Sequence, residues 1–406
     1  VHILWLKTEL LHPVDKGGRI RTYNMLRELR REHRVTYLTL DDGDAAPDAV
    51  ARADEYCTDL VRVPFRTAPK RSARFFGELA ANLLSPLPYA VAKYRSAEMR
   101  REVERLVARG DVDVLVCDFL APSLNVPDGL SCPTVLFQHN VEAMIWQRHT
   151  ELAAHPVKRR FMAEQWRRMR AFEASECRRF DRVIAVSEQD RDVFAREYGV
   201  RDAVAVPTGV DVRYFDPAVV PAAPRAASEL IFTGSMDWLP NEDAILWFVA
   251  DILPRIRARV PDATLTVVGR NPTPRVQALG ERDAAVHVTG GVPDVRPYLA
   301  RGAAFVVPIR IGGGTRLKIY EAMAMELPVV STTVGAEGLP VAPEREYLRA
   351  DDPEAFADAV VRLLEDPDGA RSLGRRAAES VRAQFSWGRV SEQFLDACTP
   401  TAAAGA

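Results

Sequence analysis

Two cations stand where a helix should not want them. In IGGGTRLKIYEAM, the glycines Gly312, Gly313 and Gly314 run straight into a helical pattern whose first turn carries Arg316 and Lys318. A helix N-terminus has partial positive charge, so cations there are unfavourable unless an anion lies among them. Glycines let backbone N–H groups approach an anion closely, and a helix starting near Thr315 would point its own N–H groups at it. A phosphate or diphosphate would turn the conflict into charge-assisted hydrogen bonds. The plainer alternative sends both side chains into water, at a cost of roughly a few tenths of a kcal/mol.

Glu321 follows on the same helix face as Lys318. It is either an exposed ion-pair partner worth roughly 0.2–0.5 kcal/mol, or an acceptor for both hydroxyls of a ribose, the task an acidic residue performs in dinucleotide sites. Anion contacts followed one turn later by a diol acceptor describe a nucleoside diphosphate. Other phosphate loops do not fit. G-x-x-x-x-G-K-[ST] is absent, and the third glycine of G-x-G-x-x-G would fall on Leu317.

Short apolar strands alternating with helices must position these residues. Runs at Ile3–Leu6, Val35–Leu40, Val112–Cys117, Thr134–Phe137 and Val183–Val186 read as buried strands. A helix follows Gly17-Gly18, and another starts at Ser187, which with Asp190 makes a capping signal. A second series begins at Glu229, with strands at Leu230–Thr233, Ala263–Val268, Val286–Thr289, Ala304–Pro308 and Pro328–Ser331. Asn241 is expected to cap a helix running through Phe248. This alternation predicts an α/β fold of two doubly wound parallel-sheet domains. The expected boundaries are 1–206, a proline-rich linker at 207–228, 229–384, and a last helical segment at 385–400. In such sheets ligands bind beyond the carboxyl ends of the strands, where the glycines cluster, so the chemistry is expected in a cleft that the two domains face.

Composition narrows the function classes. With 406 residues and a net charge of −2, the chain offers no global argument for nucleic-acid binding. Its five cysteines lack C-x-x-C spacing, which suits reduced thiols in a cytoplasmic compartment. The apolar start meets Lys7 and Glu9 too soon for a secretion signal. The segment Val157–Phe180 interleaves basic runs with Phe161, Trp166, Met169 and Phe172. It reads as a core-facing stripe with a solvated basic face, or as a basic surface for peripheral contact with the inner face of the cell membrane.

The run PIRIGGGTRLKIYEAMAMELPVVSTTVGAEGL closely resembles the donor-site motif of family 4 glycosyltransferases of the GT-B fold. FTGSMDWLPNEDAILWF, VVGRNP, HPVDKGGRIRTYNML and QHNVE resemble that family as well, in the expected order. The resemblance is greatest to the branch containing sugar transferases of bacterial exopolysaccharide systems. It implies two Rossmann-like domains, a nucleoside-diphosphate sugar held by the C-terminal one and a sugar, lipid-linked or small-molecule hydroxyl acceptor held by the N-terminal one. It further implies transfer with retention at the anomeric carbon, with no cofactor and no metal, and a final helix that crosses back onto the N-terminal domain.

The same resemblance distributes roles. Arg316, Lys318 and His139 are the catalytic candidates; His139 would otherwise be a hydrogen-bonded structural histidine at a strand end. Gly17, Gly18, Gly234, Ser235, Gly312, Gly313, Gly314, Thr315 and Glu321 fall on the donor side, with Arg270, Asn271 and Val292 bordering the base. Arg19, Asn140 and Glu142 fall on the acceptor side, although Glu142 could instead cap the next helix. Two departures stand out. The first acidic residue of the family's E-x7-E motif is Gly313 here, and the basic pair usual after the first strand of the C-terminal domain is replaced near Ser235 and Asn241. Arg316 and Lys318 are then the replacements that meet the diphosphate. A sugar-nucleotide epimerase or hydrolase, or a catalytically silent nucleotide-sugar-binding subunit, are the rival readings.

Overall fold

A computed structural model describes residues 1–398 except 16, 44, 70, 152–154, 222–223 and 312–315. The expectations for Gly312, Gly313, Gly314 and Thr315 therefore lie outside the described residues. The chain divides into two compact units: Val1–Pro207 with the segment from Val390, and Thr208–Arg389.

The first unit is built on seven parallel strands, β1 (His2–Lys7), β2 (Arg34–Asp41), β3 (Asp59–Pro64), β4 (Val114–Asp118), β5 (Thr134–Gln138), β6 (Arg182–Ala185) and β7 (Ala203–Ala205). Their order is β3-β2-β1-β4-β5-β6-β7. The second unit has β8 (Glu229–Thr233), β9 (Thr264–Val268), β10 (Val286–Gly290), β11 (Ala304–Val307), β12 (Val329–Ser331) and β13 (Leu348–Arg349), in the order β10-β9-β8-β11-β12-β13. Central strands such as Ile3–Leu6 and Val114–Cys117 are buried along their whole length. Burial on both faces explains why they read as continuous apolar runs and not as alternation. Strand order reverses between β1 and β4 and again between β8 and β11. These are the switch points where open α/β sheets leave a crevice at their carboxyl ends.

Three segments differ from the sequence reading. From Thr208 the proline-rich stretch belongs to the second unit, where Val210 and Val220 join the core and the Val210 N–H donates to the Phe385 carbonyl at 2.8 Å. Its prolines erase periodicity, but the valines are buried and Arg225 donates to the Met325 and Glu326 carbonyls. Asn241 does not cap its helix. Trp238 holds that position and the helix spans Leu239–Trp247, since Pro240 suits a first helical turn and moves the start upstream. The helix carrying Glu321 spans Leu317–Ala324, with Arg316 at its cap position.

The helix Trp387–Cys398 ends in the first unit. There Phe394 packs against Trp5 and Phe137, with ring centroids 5.4 and 4.8 Å away. Arg182 Nη1 donates to the Ala397 carbonyl at 2.7 Å. The long helix Pro156–Arg179 buries Met169 and Phe172 and pairs Arg167 and Arg168 with Glu164. Among the described residues no helix is long and apolar enough to cross a membrane.

Candidate active site

In the first unit, β1 and β4 each end in a charged residue at the switch point. Lys7 and Asp118 are 2% and 0% exposed. Asp118 Oδ2 accepts hydrogen bonds from Lys7 Nζ (2.7 Å), the Thr22 hydroxyl (2.6 Å) and the Trp5 indole (3.1 Å). Its other oxygen lies 2.7 Å from His139 Nε2. Burial works to raise the Asp118 carboxyl, but Lys7 and His139 together hold it well below the usual carboxylate range. Burial is also the main influence on His139, and it brings the imidazole down to about 3 despite Asp118. The ring is therefore neutral at neutral pH. An anionic oxygen 2.7 Å from Nε2 requires the single proton to sit there, which leaves Nδ1 as a hydrogen-bond acceptor.

The ring is also clamped. Phe119 stacks on His139 with centroids 3.9 Å apart and planes at 21°. Phe119 adopts φ of +73°, a costly conformation for an aromatic residue. Gly18 makes room for it, because a β-carbon there would lie 2.7 Å from the end of the Phe119 ring. Gly18 thus serves this packing, whereas Gly17 faces open space.

The acceptor-side candidates fare differently. Arg19 is engaged by Glu9 through Nε at 3.0 Å and Nη2 at 2.5 Å, with Asp15 nearby, so its charge is already matched. Glu142 begins the helix Glu142–Glu151 but does not cap it. Glu173 does, accepting from the N–H groups of Glu142 (2.8 Å) and Ala143 (3.0 Å), and also from Gln138 and Tyr198. Burial pushes Glu173 up to about 8 against the Ala143, Glu142 and Tyr198 donors, and pushes Glu142 up to about 7. Asn140 remains partly exposed beside His139.

In the second unit the chain leaves β8 through Gly234 at φ of +155°. The space a side chain would fill is taken by its neighbours. A β-carbon on Gly234 would lie 2.7 Å from Asn241 Nδ2 and 2.9 Å from Lys318 Nζ. Lys318 donates to Asn241 Oδ1 at 2.9 Å, and Asn241 Nδ2 donates to the Ser235 carbonyl at 2.8 Å. The ammonium sits 4.0 Å over the Phe232 ring. Burial, then Arg316, brings Lys318 down to about 7, and burial raises Glu321 to about 7 despite Lys318. Both residues keep some exposure, so their charges are crowded by protein yet open to a ligand.

Ser235, Arg270 and Asn271 come together around Asp237. Ser235 donates to Asp237 at 2.5 Å, Asn271 to its other oxygen at 3.0 Å, and Arg270 Nε to the Ser235 hydroxyl at 3.2 Å. The strand-end glycines make this approach feasible, since a β-carbon on Gly269 would fall 1.6 Å from the Gly234 carbonyl oxygen. Val292 packs partly buried against the core of this unit, next to Gly291, which lies against Arg270. Lys7, Thr22, Asp118, Phe119 and the cradling role of Asn241 were not anticipated. The available signal was a charged residue closing a buried apolar run, as in LWLK and VLVCD.

Comparison with known proteins gives concordant results. A family model described as "Glycosyltransferase Family 4" matches residues 16–214, and one described as "Glycosyl transferases group 1" matches residues 227–366. A phosphatidyl-myo-inositol mannosyltransferase of Mycolicibacterium smegmatis is 26% identical over 329 residues, covering 79% of this chain and 80% of that protein. A GDP-mannose-dependent alpha-(1-6)-phosphatidylinositol monomannoside mannosyltransferase of Mycobacterium tuberculosis is 29% identical, covering 53% of this chain and 61% of that one. Among solved structures, sucrose-phosphate synthase from Thermosynechococcus elongatus aligns with a TM-score of 0.68 at 20% identity, covering 97% of each chain. The two units thus match consecutive parts of one kind of transferase, and the chain belongs to the group 1, family 4 glycosyltransferases of the GT-B fold.

Proposed function

We propose that this enzyme moves a sugar, with retention of anomeric configuration, from a nucleoside-diphosphate sugar to a hydroxyl acceptor in polysaccharide or glycoconjugate synthesis. The observation that carries this reading is the Lys318 ammonium, held at the end of β8 by an amide oxygen and an aromatic face. It has no carboxylate within ion-pair distance among the described residues. Among the described residues only Glu321, which forms no ion pair with it, opposes its charge, and a diphosphate supplies a counter-ion. Arg316 and Lys318 then stabilise the departing nucleoside diphosphate electrostatically, without assistance from a metal. Glu321 accepts from the ribose. The acceptor hydroxyl attacks the face from which the diphosphate leaves, and a phosphate oxygen of the leaving group takes its proton.

The first unit supplies the acceptor side, and His139, at the end of β5, helps to hold the transferring sugar and its phosphate. The names of the mycobacterial relatives support GDP-mannose as the first donor to test and a polyol or lipid-linked hydroxyl as acceptor. An exposed apolar tip supports peripheral membrane contact. Phe76 and Leu84 are 56% and 93% exposed, Arg71 and Arg74 precede them in sequence, and Arg168 fixes the carbonyls of Asn82 and Leu83.

The test is incubation with GDP-, UDP- and ADP-sugars and a panel of polyol and glycolipid acceptors, with the product linkage read by NMR. A glycoside with the donor's anomeric configuration is expected. An inverted product would overturn retention. Epimerised or hydrolysed donor, or binding without turnover across the panel, would replace the reading with one of its rivals.

A further inference from the structure

We infer that Asn241 is a positioning residue for the diphosphate, acting through Lys318: its side chain fixes the ammonium as a cation that only the ligand neutralises. The inference rests on the donor-site reading above. Asn241 is itself buried within its helix. Its amide is oriented by geometry, since Nδ2 must donate to the Ser235 carbonyl at 2.8 Å, which turns Oδ1 toward Lys318 at 2.9 Å. An amide oxygen solvates an ammonium without cancelling its charge. A carboxylate in the same place would cancel it, and a basic side chain would repel it.

The rest of the cradle is equally neutral. Phe232 lies beneath the ammonium at 4.0 Å, and Gly234 withholds the β-carbon that would collide with both Asn241 and Lys318. The charged groups that act on Lys318 are Arg316, of like sign, and Glu321 on its own helix, which makes no ion pair with it. The nearby Asp237 is taken up by Ser235 and Asn271, and Asp243 by Arg310. One end of β8 therefore holds a lysine from a distant helix in the position of a phosphate-binding group, and Asn241 determines where it points.

The experiment is a double-mutant cycle on GDP and UDP affinity, measured by calorimetry on the full chain. It uses Asn241→Ser, Lys318→Ala and the double variant, with Asn241→Asp as a separate probe and ligand-free melting temperatures recorded for each. Asn241→Ser is expected to weaken binding about 3- to 10-fold alone and to have no further effect once Lys318 is alanine. Asn241→Asp is expected to weaken binding at least about 10-fold, because the new carboxylate occupies the ammonium permanently, and to flatten the pH dependence of affinity between pH 7 and 9. Fold losses that multiply in the double variant, or an Asn241→Asp protein that binds like wild type, would overturn the positioning role while leaving the donor site standing. Wild-type affinity in Lys318→Ala would overturn both.

Discussion

Lys7 Nζ lies 2.7 Å from Asp118 Oδ2 at the switch point of the first sheet, and neither residue is accessible to water. Thr22 and Trp5 donate to the same oxygen, and His139 Nε2 lies 2.7 Å from the other. Removing one partner leaves the other buried and uncompensated, a change that typically costs about 3–5 kcal/mol. Asp118→Asn should therefore lower the urea midpoint by an amount corresponding to about that loss. A comparably buried neutral change, such as Val116→Ala, leaves no uncompensated charge and should lower the midpoint less.

His139 gives the first unit an acid-sensitive element. Its folded pKa, brought down to about 3 by burial, lies below its unfolded value near 6.5. Between those values the unfolded chain binds the proton and the native one does not, so stability is lost as pH falls from 6.5. Replacing His139 with Gln should flatten melting temperature against pH between about 6.5 and 4. Asp118 loses its contribution only below the ordinary carboxylate range, so the two effects separate on the pH axis.

Two glycines should differ sharply in tolerance. A β-carbon on Gly18 meets the far end of the Phe119 ring, which can shift at the expense of its stack on His139. Gly18→Ala should destabilise by about 1–3 kcal/mol, the usual range for overpacking, and reduce turnover. A β-carbon on Gly269 meets the Gly234 backbone, which has no rotamer to change. Gly269→Ala should abolish nucleotide binding, measured by thermal shift, even where the protein still folds.

Nucleotide affinity should peak near neutral pH. Lys318, held near 7 by burial and Arg316, is half-discharged there, and a diphosphate restores its proton. Binding above pH 7 therefore takes up a proton and weakens as pH rises. Glu321, raised to about 7, must be ionised to accept from a ribose, so binding weakens below pH 7 as well. Glu321→Gln should remove the acid limb and keep the alkaline one. Calorimetry in buffers of different ionisation enthalpy reports the proton uptake directly.

Much of this architecture was legible in the chain. Continuous apolar runs placed the central strands to within a residue or two because burial on both faces leaves no other pattern. The β3 strand, DLVRVP, was not legible, since it is a half-exposed edge carrying Arg62. In the site, the Arg316 and Lys318 anomaly is a charge pattern visible in the sequence, and the proposed diphosphate site starts from it. Asn241 was misread because a capping residue and an asparagine inside the first turn look alike in sequence. Only the fold shows that its amide turns to Ser235 and Lys318. Lys7 and Asp118 were hidden for a similar reason, since they lie far apart along the chain and meet only when β1 and β4 become neighbours.

In the proposed reaction the cations at the start of the Leu317–Ala324 helix hold a diphosphate. Titration of UDP, GDP and ADP into the wild-type protein and into Lys318→Ala and Arg316→Ala tests it most directly. At least one nucleotide should bind the wild type and lose about 1–3 kcal/mol of binding free energy in each variant, the range for hydrogen bonds to charged groups. Unchanged affinities for all three nucleotides in both variants would contradict the account.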